Sequence, residues 1–322
     1  MSVRKTLLLI AVLVLVPSMA LGAVTEDAFA RWYDHIAYLT EEAGIRTVGS
    51  MGHDVAYYYL LEEYERIGMS YDDETLWKSG CIANGYDAFN IVGVKPALNE
   101  NPRIITVCAH YDSISPGARD NASGVATVLL AMEYFQRLAP YPDTELRFIA
   151  FTGEESGHEG SLMYVENLTP DEKQRSLATF NVDILLVDAE DTQAAFSCDT
   201  LGMRTEDGYV SGTEASPAVN AGARAILAAM AETGLFDAGE EGVTWCVPRH
   251  LGASDHESFH LSGIDAVNVC FRGNVAEGGS WPGVMHTPED VMGDFDLERS
   301  RQALEVLLTA VEGLAADPDY GA

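Results

Sequence analysis

The chain has 322 residues, 47% of them hydrophobic, enough to bury a substantial core in one large domain or two ordinary ones. Against 50 acidic residues stand only 19 basic ones, a net charge of −31 that repels phosphate backbones and excludes nucleic acid as a partner. Five cysteines are too few, and odd in number, for a disulfide scaffold.

The N-terminus, "MSVRKTLLLIAVLVLVPSMALGAVTED", has a basic start with Arg4 and Lys5, an unbroken apolar run over residues 7–16 and then small residues. This is the pattern of a secretory signal peptide. Ala20 and Gly22 fill the small positions of an A-x-A-like site, so residues 1–22 are expected to be removed and residues 23–322 to form a secreted or periplasmic domain. The apolar run is shorter than the roughly 20 residues of a membrane span, and no later segment resembles one. No membrane association is expected after cleavage.

Two amphipathic segments follow, residues 25–44 and 50–68, each ending at a glycine as helices often do. The pattern then changes. Runs rich in β-branched residues at 88–95, 103–110, 145–152, 180–188 and 265–271 alternate with helical stretches at 122–138, 216–232 and 296–315. This alternation predicts one α/β domain, a three-layer sandwich with a mixed, mostly parallel central sheet flanked by helices. Cys108, inside the apolar run "RIITVCAH", is expected to be a buried thiol.

In such sheets ligands bind outside the carboxyl ends of the strands, so polar residues there are candidates for chemistry. "RIITVCAHYDS" ends in His110 and Asp112, two apart and on one side if the strand persists. The pair suits a metal-bound histidine whose other ring nitrogen is held by a carboxylate. "PGARDNASGVA" puts Asp120 directly before a helix, and "ELRFIAFTGEES" ends in Glu154 and Glu155. Adjacent side chains diverge, so one can bind a metal while the other handles a proton. "FNVDILLVDAED" offers Asp183, with Asp188 and Asp191 as competitors, and "WPGVMHTPEDV" adds His286. Each has an ordinary structural reading taken alone. A compact fold that gathers two histidines and several carboxylates, however, needs cations to offset them. Nitrogen and carboxylate donors without cysteine favour zinc, with manganese or cobalt also able to fill such a site.

Taken in order, "AHYDS…PGARDNASGVA…FTGEESGHEGS…NVD…SDHESF…MHTPED" resembles metallopeptidase family 28, the two-zinc aminopeptidases that include bacterial leucyl aminopeptidases and, more distantly, glutamate carboxypeptidases and glutaminyl cyclases. The resemblance runs from about Asn90 onward. It implies a zinc-dependent exopeptidase fold, a peptide substrate and two Zn2+ ions per chain. One ion would be held by His110 and Glu155 and the other by Asp183 and His286, with Asp120 bridging, Glu154 as general base and Asp112 supporting His110. Arg119 stands where the family usually has a second aspartate, and is expected to place a cation beside the site that alters substrate preference. The Asp120–Asn121 peptide is expected to be cis.

One motif competes with this reading. "HESFH" fits H-E-x-x-H, which in many metalloproteases supplies two zinc-binding histidines and a base, here His256, Glu257 and His260. That motif needs a long helix, but Ser262 and Gly263 follow at once, and Ala266 stands where an extended motif has its third histidine. The match is read as coincidence: Asp255 and His256 are expected to line the substrate site, Asp255 near the substrate amine, with His260 structural. The "NAS" sequon at Asn121 is likewise read as unused. Release of N-terminal residues from peptides is the expected function. A carboxypeptidase or dipeptidase would need a basic clamp, for which Arg119, Arg249 and Arg272 are the candidates. A glutaminyl cyclase and a metal-free binding protein on the same fold complete the set of rival functions.

Overall fold

The structure, a computed structural model, describes residues 24–191, 194–200, 204–205, 208–209, 220–235, 245–248, 254–273 and 281–322. The expected signal segment and Arg249 lie outside the described residues.

Helix α1 (Glu26–Ala37) starts where the Thr25 side chain accepts from the Ala28 N–H, and α2 (Met51–Ile67) is capped likewise by Ser50 and stopped by Gly68 at φ 104°. Strands β1 (Leu76–Ala83) and β2 (Tyr86–Lys95) form an antiparallel hairpin. Its turn is Asn84-Gly85, both at positive φ, the pair that two-residue hairpins favour. There follow β3 (Arg103–His110), α3 (Gly124–Gln136), β4 (Thr144–Phe151), α4 (Glu159–Asn167), α5 (Pro170–Arg175) and β5 (Ser176–Val182). The C-terminal part holds β6 (Ala195–Thr200), two short strands β7 (Arg204–Thr205) and β8 (Gly208–Tyr209), α6 (Ala221–Thr233), β9 (Trp245–Pro248), α7 (His256–Leu261), β10 (Ala266–Arg272) and α8 (Leu297–Ala316).

The main sheet runs β1-β2-β4-β3-β5-β10-β6-β9, with the four central strands β4, β3, β5 and β10 parallel to one another. Those central strands are buried almost throughout, as strands covered on both faces must be. Alternate side chains go to opposite layers. Ile105, Val107 and Ala109 of β3 join a core with Trp32 of α1, Tyr64 of α2, Phe135 of α3, Ile226 of α6 and Leu307 of α8, while Cys108 joins Tyr164 of α4 and Phe259 of α7 on the other face. Each such fully buried large side chain stabilises the fold by roughly 1.5–3 kcal/mol. The three-layer mixed sheet therefore follows from the period-two pattern of the strands.

One expected strand is shorter than its apolar run. β5 stops at Val182, and Ile184 takes φ 65°, so residues 183–187 form a buried loop rather than more strand. Cys108 is a buried free thiol, as is Cys81, and Cys270 is buried too, whereas Cys198 is disulfide-bonded and stands opposite Cys246 in the β6/β9 register. Among the described residues no helix is long and apolar enough to cross a membrane.

Candidate metal centre

The sheet order β4-β3-β5 sets three carboxyl ends side by side. His110 is the last residue of β3, Glu154 and Glu155 follow β4 by a few residues, and Asp183 directly follows β5. Asp120 comes from the turn before α3, whose Asp120–Asn121 peptide is cis as expected. Asn121 is fully buried; its side-chain N–H donates to the Val182 carbonyl, and its oxygen accepts from the Gly124 and Ile184 N–H groups. That ties the Asp120 turn to the end of β5 and leaves no room for a glycan. His286 arrives from the loop before α8.

Donor atoms fall into two groups, His110 with Glu154 and Asp183, and Asp120 with Glu155 and His286, the atoms of each lying within 4.8 Å of one another. Asp120 faces both. Its Oδ1 is 3.2 Å from His110 Nε2, and its Oδ2 is 2.9 Å from His286 Nε2. His110 Nε2 is also 3.7 Å from Asp183 Oδ1, and His286 Nε2 is 3.1 Å from Glu155 Oε2. The grouping corrects the expected pairs: His110 sits with Asp183 and Glu155 with His286. Strand adjacency decides this, because β3 and β5 are neighbours while the two glutamates, adjacent in sequence, point to different groups.

Buried polar atoms at the centre fit a divalent metal. His110 Nε2, Glu155 Oε1 and Asp183 Oδ1 are buried without a hydrogen-bond partner, and such orphans are costly unless something binds them. Electrostatics agree. Burial pushes Glu154 well above the ordinary carboxylate range and Glu155 up to about 7, with nearby carboxylates adding to both. Burial also works against a charged His110, but Glu154, Asp112, Asp120 and Asp183 outweigh it and raise the ring's pKa. Asp120 is held low against burial by the two histidine rings that flank its oxygens. Carboxyl groups thus outnumber the histidines where the donors converge, and a cation bound there would let them all ionise.

Asp112 supports the site by a different contact from the one expected. The His110 Nδ1 partner is the Asp112 backbone carbonyl at 3.0 Å, and the carboxylate stays 3.7 Å from the ring. That carboxylate instead accepts from the Glu154 and Glu155 backbone N–H groups, both at 3.2 Å. It orients the turn that carries both glutamates.

Of the three expected substrate contacts, two are buried and one, Arg119, is corrected. Asp255 and His256 are 0% and 1% exposed at the start of α7, as buried as the donors His110 and Asp120. Burial lifts the Asp255 carboxyl to about 7. The Arg119 guanidinium pairs with Asp290 at 2.9 Å and with Asp188, and lies 4.7 Å from the Phe295 ring centre, so it joins the structural framework instead of the site. Of the remaining clamp candidates, Arg272 is buried and stacked 3.6 Å from the Trp281 ring centre. Among the described residues, the "HESFH" histidines belong to neither donor group, and their helix has only six residues.

Sequence reasoning missed three contributors. Asp290 accepts from the Arg119 and Asp120 backbone N–H groups through its two oxygens, fixing the Asp120 turn; its place in "MHTPED", four residues after His286, is the available signal. His53 Nε2 is 2.8 Å from the Thr152 hydroxyl, and its ring stacks on Tyr111. Arg46 is fully buried beneath the loop after β3. Neither of the last two carries a sequence signal beyond residue type.

A family model for peptidase family M28 matches residues 90–311. Aminopeptidase YwaD of Bacillus subtilis is 34% identical over 229 residues, 69% of this chain and 44% of that protein. Leupeptin-inactivating enzyme 1 of Streptomyces exfoliatus is 31% identical over 144 residues, 44% of this chain and 32% of that protein. The chain thus spans less than half the length of these relatives. A zinc aminopeptidase structure from Bacillus subtilis superposes with TM-score 0.69 at 20% identity, covering 88% of this chain and 94% of that one. Tannerella forsythia glutaminyl cyclase does so with TM-score 0.64 at 18% identity, covering 90% and 98%. The fold is shared with both, and the family-model match over most of the chain, on top of the converging donors, means that the chain belongs to peptidase family M28.

Proposed function

We propose that this protein is a secreted, zinc-dependent aminopeptidase that releases N-terminal residues from peptides. The observation that carries the reading is the pair of donor groups sharing Asp120, with Glu154 alongside. His110 and Asp183 would hold one Zn2+, Glu155 and His286 the other, and Asp120 both. When bound, such a metal pair acidifies water and offsets negative charge developing on a carbonyl oxygen.

The chain's own residues supply the rest. Glu154, held by Asp112 through its backbone, takes the proton of the attacking water and returns it to the leaving amine. Asp112 and Asp290 hold the two turns that bear Glu154, Glu155 and Asp120, so the donors are placed before substrate arrives. The surplus of carboxylates favours the cationic end of a peptide over its carboxylate end.

The test is a panel of aminoacyl amides and peptides with free and acetylated N-termini, with free and amidated C-termini, and with N-terminal glutamine. Cleavage that needs a free amine, ignores C-terminal amidation and is abolished reversibly by chelation is the expected result, with up to two zinc ions per chain by elemental analysis. Dependence on a free C-terminal carboxylate would move the reading to a carboxypeptidase. Ring closure of N-terminal glutamine without hydrolysis would move it to a cyclase.

A further inference from the structure

His158 lies beside the proposed base and has no role in the mechanism above. It ends the turn after β4 at φ 59°, a left-handed conformation uncommon outside glycine, and the turn is closed by the Gly157 and His158 N–H groups donating to the Glu154 carbonyl at 3.0 Å each. The fold-back sets the His158 ring against the side chain it has just left: Nε2 is 3.6 Å from Glu154 Oε1. On the other side, Nδ1 is 3.8 Å from Glu257 Oε2 of α7. Helices α4 and α7 are pinned together by the Ser161 and Ser258 hydroxyls, 2.8 Å apart and buried, while the Ser161 hydroxyl also donates to the His158 carbonyl. The imidazole thus lies between two carboxylates, its nitrogens just beyond hydrogen-bond length from each, with its side chain only 15% exposed.

We infer that His158 is a positioning residue for the Glu154 carboxylate, aligned in turn by Glu257, so that the glutamate of "HESFH" serves the reaction through His158 rather than through a metal. Each ring nitrogen lies beside one carboxylate oxygen, so a contact to Glu154 that shortens in the substrate complex would set the rotamer of that side chain, with Glu257 aligning the ring from the other side. A glutamate whose two oxygens must be presented differently, one toward water and one away, gains from a fixed partner on the second oxygen. Glu154 Oε2 is the atom nearer His110, at 3.9 Å, and Oε1 is the one His158 faces.

The inference rests on the reading of Glu154 as general base, and the experiment separates the two. Full-length zinc-loaded protein is assayed on an aminoacyl 4-nitroanilide, with Glu154→Gln, His158→Leu, His158→Gln, Glu257→Gln and the double variant His158→Leu/Glu257→Gln. His158→Leu is expected to lower kcat about 10-fold or more, as loss of an outer partner commonly does, with KM and zinc content within about 2-fold of the parent. His158→Gln, which keeps an N–H of similar reach, is expected to recover part of the loss. Glu257→Gln is expected to lower kcat roughly 3-fold alone and not at all in the His158→Leu background, because residues acting through one another are non-additive. If Glu154→Gln turns over like the parent, the general-base reading falls and this inference with it. If Glu154→Gln is inactive but His158→Leu keeps its kcat, or the two lesions multiply, only the positioning role falls. Should His158→Leu lose zinc or fold, the Glu257→Gln arm decides: a kcat unchanged from the parent overturns the inference, and a selective fall in kcat supports it.

Discussion

Glu154 and Glu155 share a peptide bond and almost the same burial, yet one donor group takes the first and the other takes the second. The divergence comes from their turn, in which Asp112 accepts both backbone N–H groups and leaves the side chains on opposite sides. A distinct outcome is expected for each. Glu154→Gln keeps a neutral oxygen where the carboxylate was, so zinc content is expected to hold while turnover falls about 10²–10⁴-fold, the span over which a positioned base acts. Glu155→Gln removes one of the charges beside His286 and Asp120 and is expected to lose metal first and activity as a consequence. Elemental analysis alongside kcat measures both. If Glu154→Gln lost metal and Glu155→Gln only lost turnover, the two roles would have to be exchanged.

Arg46 shows how an element-scale tether holds the same site. Its guanidinium meets only backbone carbonyls: Nε donates to Tyr111 at 2.8 Å, Nη1 to Leu39, Gly44 and Pro116 at 2.8, 3.0 and 2.7 Å, and Nη2 to Gly117 at 3.1 Å. One side chain thus fastens the end of the first helical region to the loop between β3 and Asp120. Burial lowers its pKa to about 10, still charged at neutral pH, and the nearby Asp120 and Asp112 charges help keep it so. Arg46→Ala would leave several buried carbonyls unpaired, so a loss on the order of 4 kcal/mol is expected by urea unfolding. Arg46→Lys is expected to recover only part of it, since an ammonium cannot reproduce the planar fork of donors. A loss under about 1 kcal/mol would mean that water replaces the guanidinium.

The same scale explains what was legible in the sequence. Runs such as residues 103–110 and 145–152 announce themselves because strands buried on both faces read as unbroken β-branched stretches. His110, Asp120, Glu154, Glu155, Asp183 and His286 were findable because each interrupts such a pattern at a strand end or in the loop before a helix. How they group was not, since it depends on β3 lying between β4 and β5, an order that chain position does not encode. Nor were the burial of Asp255 and the pairing of Arg119 with Asp188 and Asp290, because a charged residue near a motif looks the same in sequence whether it faces the site or the framework. β1 escaped notice because Lys78, Ser79 and Gly80 break its apolar pattern, as suits a strand at the edge of the sheet.

At the scale of the whole molecule the dominant fact is charge. With 50 acidic and 19 basic residues, the exposed carboxylates have far more like-charged neighbours than opposite ones. Pairs such as Arg175 with Asp171 and Arg301 with Glu26 are solvent-facing, and such pairs are worth only about 0–1 kcal/mol each. Salt weakens these few attractions and the many repulsions alike, so the balance lies with relief of repulsion. The Debye length falls from about 10 Å at 0.1 M to about 3 Å at 1 M, shorter than most spacings between surface charges. Tm is therefore expected to rise from dilute buffer to molar sodium chloride, most steeply at the low end, where screening changes fastest. Repeating the titration with sodium sulfate separates the causes, because exclusion of sulfate from the surface continues to stabilise at high concentration whereas screening saturates. A Tm that stays flat or falls with sodium chloride would show that repulsion between the surface carboxylates costs the fold little at ordinary ionic strength.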